Sequence, residues 1–319
     1  MPSRSLPHEL GDAFAVGGAR RAGVTERRLR AEDLLRPFHG VRATTPPATA
    51  APVSRWEREA SELRRRIEAY RTIMPAQAVF AAQTAAFLLG LPLPPGRHAE
   101  LHVAVPFPGT APKRPGVRGI QVLPRMMKRI EVDGMPLTDA ATTWAMLGRT
   151  LDVYDLVAVG DAIVRVPRRP GGFGPLGVPL ATRDALFGAL TAGRRLGADR
   201  LREALSRVRD GASSRPESWL RLVLVDGGLP EPVLDYDVYR DDGRLLGCSE
   251  LAYPALRVAV EYESDGHLDR PQLERDIDKY TDYSAAGWTT VRLTGTHVFH
   301  VPSEAVRRVR AALRRASSP

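Results

Sequence analysis

The spacing of apolar and polar positions changes several times along the chain, and each change marks an element. Between Ser54 and Ile73, Leu63, Ile67 and Tyr70 fall at i, i+4 and i+7 among Arg and Glu. That spacing predicts a charged helix with one apolar stripe. Ala76 to Gly90 is apolar on all sides and rich in small residues, and predicts a helix ended at Gly90. Leu101 to Pro106 and Val117 to Leu123 read as strands around a Pro/Gly/Lys/Arg loop, with Ile130 to Leu137 a third strand or hairpin. Helices are expected over Thr138 to Leu147, Val153 to Arg165, Thr182 to Leu190 and Ala198 to Arg209. Pro167 to Pro179 holds too much Pro and Gly for regular structure.

The first 42 residues read as short helical pieces with Gly breaks. Glu9 to Ala15 gives a first turn or two, Ala19 to Val24 a second, and Thr25 caps a helix over Glu26 to Leu35. Phe38 to Arg42 follows as a strand. Helix, Gly turn, Arg-rich helix and hairpin is the order of a winged helix-turn-helix. Thr44 to Val53 is a Pro/Ala/Thr linker.

Gly211 to Pro216 reads as a boundary, and from Glu217 onward the order is helix, three strands, helix, strand, helix. The expected elements are Ser218 to Gly227, Leu234 to Arg240, Leu245 to Tyr253, Leu256 to Tyr262, Gln272 to Ala286, Trp288 to Thr294 and Ser303 to Arg315. Asp241 to Arg244 turns the chain between the first two strands. The third strand is apolar enough to be central.

Composition narrows the function. In 319 residues, Lys and Arg number 46 against 37 Asp and Glu, and only Lys113, Lys128 and Lys279 are lysines. The pI near 10.2 favours a polyanionic partner, most simply nucleic acid. The single cysteine, Cys248, excludes an intramolecular disulfide and a Cys-based zinc site, and fits a reducing cytoplasm. Met1 to Arg21 has no apolar signal segment. The most apolar window, Ala76 to Leu93, carries Gln83 and Thr84, so no membrane partner is expected. Neither a Gly-rich phosphate loop nor a Ser/His/Asp arrangement suggests a small-molecule enzyme.

The chemistry concentrates where the third C-terminal strand ends. Leu256 to Val260 runs into Glu261-Tyr262-Glu263-Ser264-Asp265-Gly266-His267, and Glu250 ends the preceding strand. Adjacent strands that each deliver a carboxylate to one point make an oxygen-rich site for Mg²⁺ or Mn²⁺. Such a site activates water and neutralises charge on a phosphate. Glu217 opens a helix just after Pro216, where it could serve the same site or only the helix dipole. Asp276 and Lys279 are expected to face solvent.

Gly211 to Ala312 resembles the Vsr-like branch of the PD-(D/E)xK nucleases, in particular a compact domain related to very-short-patch-repair endonucleases. The motifs are Arg215-Pro216-Glu217, Gly228-Leu229-Pro230-Glu231-Pro232, Glu250-Leu251-Ala252-Tyr253-Pro254, Val258 to Glu263, His267, Arg275-Asp276 and Gly287 to Arg292. The resemblance implies Glu250 and Glu261 as metal ligands, and Glu261, Glu263, His267 and Glu217 as catalytic residues. In that family the second strand usually carries Asp where Glu250 stands. The catalytic lysine is usual two residues after Glu261, where this chain has Glu263.

The N-terminal two-thirds is similar to AbiEi-type antitoxins, which pair a winged helix with an α/β domain. The matching pieces are Ala22-Gly23-Val24-Thr25, Thr84-Ala85-Ala86, Leu89 to Pro92, Leu101 to Pro106 and Asp133 to Thr138. That similarity implies transcriptional self-repression and a cognate toxin as partner.

The expected fold class is therefore α/β (α+β). Residues 1–45 form a winged-helix DNA-binding region and 54–166 an α/β domain. Residues 167–210 are a Pro/Gly linker with helices, and 211–319 a restriction-endonuclease-like mixed sheet flanked by helices. Arg27, Arg28 and Arg30 of the winged helix and Arg307 and Arg308 of the last helix are the DNA-binding candidates. The functional expectation is a DNA-associated, metal-dependent nuclease. Its rival is a non-catalytic DNA-binding regulator that keeps a lapsed nuclease fold.

Overall fold

A computed structural model describes residues 6–46, 54–96, 99–169, 174–263 and 270–318. The protein is a mixed α/β chain whose described residues form three sheets. It divides into two compact units: Met1–Thr84, His98–Pro124 and Arg129–Leu137 form the first, and Ala85–Arg97, Arg125–Lys128 and Thr138–Pro319 the second. The boundaries expected near residues 166 and 211 both fall inside the second unit.

In the first unit, β1 (Ala13–Ala15), α1 (Val16–Arg21), α2 (Glu26–Leu29), β2 (Leu34–Leu35) and β3 (Val41–Thr44) come first. Their three strands order as β1-β3-β2, all antiparallel. Thr25 caps α2 as expected, its hydroxyl accepting from Arg28 N. The helix stops at Leu29, though, because Leu34 and Leu35 are drawn into pairing with Thr44 and Ala43. Next, α3 (Arg55–Arg71) opens on a capping box between Ser54 and Glu57. It buries Leu63, Ile67 and Tyr70, the predicted stripe. Tyr70 packs edge-on against Phe38 and Phe80 at 5.3 and 6.3 Å.

The apolar run from Ala76 is only partly helical. Val79 and Phe80 form β4, and α4 covers Ala82–Leu88. The strand β4 joins β5 (Leu101–Pro106), β6 (Lys113–Arg114), β7 (Val117–Val122), β8 (Arg129–Val132) and β9 (Met135–Thr138) in a six-stranded mixed sheet of order β6-β7-β5-β4-β9-β8.

The second unit contains α5 (Ala140–Leu147), α6 (Val153–Val164), α7 (Arg183–Thr191), α8 (Ala198–Arg207) and α9 (Arg215–Asp226). Buried acids tie α6 to α9. Asp161, fully buried, accepts from Ser218 Oγ at 2.8 Å, Arg221 at 3.1 Å and Arg209 N at 2.7 Å. Asp155 accepts from Arg215 Nε at 2.6 Å and Trp219 Nε1 at 2.9 Å. Such groups stay buried because each charge is paired and hydrogen-bonded.

The last sheet has the order β10 (Val233–Tyr239), β11 (Leu245–Tyr253), β12 (Val258–Glu263) and β13 (Thr289–Thr294). Its first two pairings are antiparallel; β12 and β13 are parallel. That parallel pair needs a crossover, which α10 (Arg270–Ala285) supplies. The final helix is α11 (Pro302–Ser317). One apolar core joins Leu220 and Leu224 of α9 and Val309 of α11 to Leu251, Val258, Val260 and Leu293 of the sheet. A second packs Tyr283 of α10 and Trp288 on Val238, Ala252 and Ala259. The sheet is thus flanked by helices, as expected.

Candidate functional site

Pairing between β11 and β12 runs from Tyr253↔Val258 to Leu251↔Val260 and ends one residue short of Glu250 and Glu261. Beyond that point the Tyr262 N–H donates to Glu250 Oε2 at 2.7 Å. A carboxylate has taken a place in the ladder, and the site sits where the two strands part.

Glu261 continues the apolar face of β12 and is 2% exposed. Its Oε2 accepts from Lys279 Nζ of α10 at 3.0 Å. Its Oε1 is buried without a hydrogen-bond partner among the described residues. The Ser249 hydroxyl donates instead to Leu251 O at 2.9 Å. Asp237 Oδ1 and the Tyr283 hydroxyl are likewise buried and unpartnered. Gly247 has φ +153°, and a Cβ there would lie 3.2 Å from the Tyr283 hydroxyl, so only glycine fits. Glu217, buried at the start of α9, accepts from Ser213 N at 2.7 Å.

These carboxyls feel one another. Burial, then the charges of Glu217 and Glu261, push Glu250 up to about 8. Burial raises Glu261, against the opposing pull of Lys279. Burial also raises Glu217, against the hydrogen bonds from Ser213 and Ser214. Crowding buried acids together, with Lys279 acting on Glu250 and Glu261, favours the uptake of a proton or a cation.

Glu263 differs. Burial works to raise it, but hydrogen bonds from Arg292 Nε at 2.6 Å and the Tyr280 hydroxyl at 3.0 Å prevail and hold it below the usual carboxylate range. Its Oε1 is committed to those two partners. His267 lies outside the described residues. Among the described residues no group of three or more His, Cys, Asp or Glu side chains is placed to hold a metal ion. Glu250 and Glu261 remain as two hard oxygen donors, one with a buried oxygen that has no hydrogen-bond partner among the described residues. Mg²⁺ often takes one or two carboxylates and keeps several waters, so this donor set fits it.

Lys279 corrects the sequence reading. The sequence places it at the solvent; instead α10 carries it onto Glu261. The signal was present in the helical spacing of Asp276, Lys279, Tyr280 and Tyr283, which share one side of α10. Of the proposed DNA-binding arginines, Arg28 makes two 2.9 Å bonds to Asp33, and Arg30 lies 3.8 Å from Glu26. Arg307 and Arg308 share Glu304 at 2.6 and 2.7 Å. Arg27 is exposed.

No family model matches the chain. Two Mycobacterium tuberculosis proteins do: "Uncharacterized protein Rv2248" of strain ATCC 25618 / H37Rv and "Uncharacterized protein MT2308" of strain CDC 1551 / Oshkosh. Each is 30% identical over 288 residues, which cover 89% of this chain and 93% of the relative. The chain belongs to the Rv2248 family. The match covers most of both chains, so the family shares more than the C-terminal sheet. The crystal structure of RV2827C protein from Mycobacterium tuberculosis is similar at a TM-score of 0.36 and 18% identity, over 64% of this chain and 80% of that one. A likeness that low carries no argument about the site.

Proposed function

We propose that this Rv2248-family chain is a DNA-associated, metal-dependent phosphodiesterase whose chemistry lies between β11, β12 and α10. The observation that carries the reading is Glu261: one carboxylate oxygen on Lys279, the other buried without a hydrogen-bond partner among the described residues, with Glu250 pushed up to about 8. Glu250 and Glu261 would hold Mg²⁺ or Mn²⁺, which when bound lowers the pKa of a water and offsets charge on the phosphate. Lys279 occupies the role of the missing lysine two residues after Glu261. Its ammonium orients the attacking water and stabilises negative charge on the phosphoryl oxygens. Glu217 holds the field around Glu250 rather than the ion. His267 protonates the leaving oxygen by the family resemblance. The strand and helix order of residues 8–44, with its β1-β3-β2 sheet, supports a winged helix that holds the duplex.

A second reading rests on Glu263. In this chain it is spent on Arg292, and among the described residues no third ligand completes the site, as expected of a regulator with a lapsed nuclease fold. Plasmid nicking separates the two. Purified protein should convert supercoiled to nicked plasmid with Mg²⁺ or Mn²⁺, lose that activity in EDTA, and lose it in Glu261→Gln. If wild type is inert with both metals on double- and single-stranded DNA, the regulator reading holds.

A further inference from the structure

Arg292 of β13 stands in strand register with Glu261 of β12. Its side chain is 52% exposed, yet it is held at two points. Nε donates to Glu263 Oε1 at 2.6 Å, and the guanidinium lies over the Tyr280 ring at 4.9 Å. The Tyr280 hydroxyl donates to the same Glu263 oxygen at 3.0 Å. Lys279 Nζ lies 5.5 Å from the same ring centroid. Two cations therefore lie close to one tyrosine ring, and one of them touches Glu261.

An ordinary surface Arg–Glu pair contributes little and needs no such scaffold. Here Nε is fixed by a carboxylate and the plane by an aromatic ring, while the two terminal nitrogens make no hydrogen bond to any described residue. A planar fork fixed from behind matches a phosphate in two-point geometry and loses little freedom on binding it. We propose that Arg292, set in place by Glu263 and Tyr280, binds a backbone phosphodiester of the nucleic acid beside the Glu261–Lys279 pair. This rests on the phosphodiesterase reading of that site. It also gives Glu263 a role other than metal ligation: it positions Arg292.

The test measures duplex DNA binding in Ca²⁺, with the DNA checked for intactness, across a range of salt concentrations. Arg292→Ala should weaken binding about tenfold, the scale of a hydrogen bond to a charged group. It should also flatten the slope of log affinity against log salt by about one, as loss of a single phosphate contact requires. Arg292→Lys keeps the charge without the fork, and should restore the slope but only part of the affinity. Arg240→Ala removes an equally exposed arginine on the β10–β11 hairpin, and should change neither. An Arg292→Ala slope equal to wild type overturns the proposal, whether or not wild type nicks plasmid; so does a wild type that binds no duplex. A flattened slope in a protein that never nicks keeps the phosphate contact and removes the nuclease reading. If free inorganic phosphate displaces duplex from wild type at micromolar concentration, the site serves a small phosphoanion and the nucleic-acid assignment fails.

Discussion

Lys279 Nζ lies 3.0 Å from Glu261 Oε2, across eighteen residues of sequence and from within the crossover helix α10. The pair puts a flexible cation at the end of a buried apolar strand. Removing one partner strands the other charge.

Lys279→Met tests that pairing. Without the ammonium, Glu261 must stay protonated or be buried as an unpaired anion. The variant should melt close to wild type at pH 5 and well below it at pH 8, since only the higher pH demands the anion. Equal losses at both pH values would show that Lys279 contributes packing alone. Thermal melts at the two pH values measure the difference.

Stability should also depend on pH through Glu250. Its folded pKa, about 8, lies above its ordinary value of 4.5. Between those values the folded state holds the proton more tightly than the unfolded chain does. The stabilisation is fully present below about pH 4.5 and is lost as pH rises through about 8. Glu217 and Glu261, both raised, act in the same direction. Denaturant melts of the metal-free protein should show stability falling across this window, with a shallower fall in Glu250→Gln. A slope unchanged by Glu250→Gln would remove Glu250 from the acid cluster.

The α6–α9 interface makes a separate prediction. Asp161→Ala leaves Arg221 buried against Glu231 and a carbonyl, with its inner carboxylate gone. The expected cost is about 3–5 kcal/mol, the usual scale for breaking a buried pair. Urea melts measure it. A loss under about 1 kcal/mol, the scale of an exposed pair, would mean the pair is not load-sharing in the fold.

Much of this architecture is visible in the pattern of side chains. The stripe of α3 and the order of β10 to β13 follow from local periodicity. So does the exit of Glu261 from an apolar strand. What local pattern misses is set by distant partners. The two-residue β4 is hidden in an Ala-rich run because its pairing with Val103, Ala104 and Leu137 lies far along the chain. Residues 13–15 look helical next to Glu9 but become β1 by pairing with Val41 to Ala43. Lys279 reads as a solvent residue because helical spacing fixes its face, not where a four-carbon stem ends. Glu263 looks equivalent to Glu261, two residues on. Only the neighbouring strand reveals that Arg292 claims it.

The length of the carboxylate at position 250 gives another expectation. Glu250→Asp shortens the side chain by one methylene and restores the residue usual in the resembling nucleases. Plasmid nicking in Mg²⁺ should be retained or raised. A loss comparable to Glu250→Gln would show that the longer side chain, through its bond to Tyr262 N, is required.

Direct titration of Mn²⁺ tests the central claim, that Glu250 and Glu261 together hold a divalent cation. Calorimetry at pH 8 should find one site in wild type, with proton release in the amount Glu250 and Glu261 give up. Glu261→Gln and Glu250→Gln should each weaken it at least about tenfold, since each removes a ligand charge. Wild type that binds no Mn²⁺, or a Glu261→Gln variant that binds it as tightly as wild type, would contradict the account.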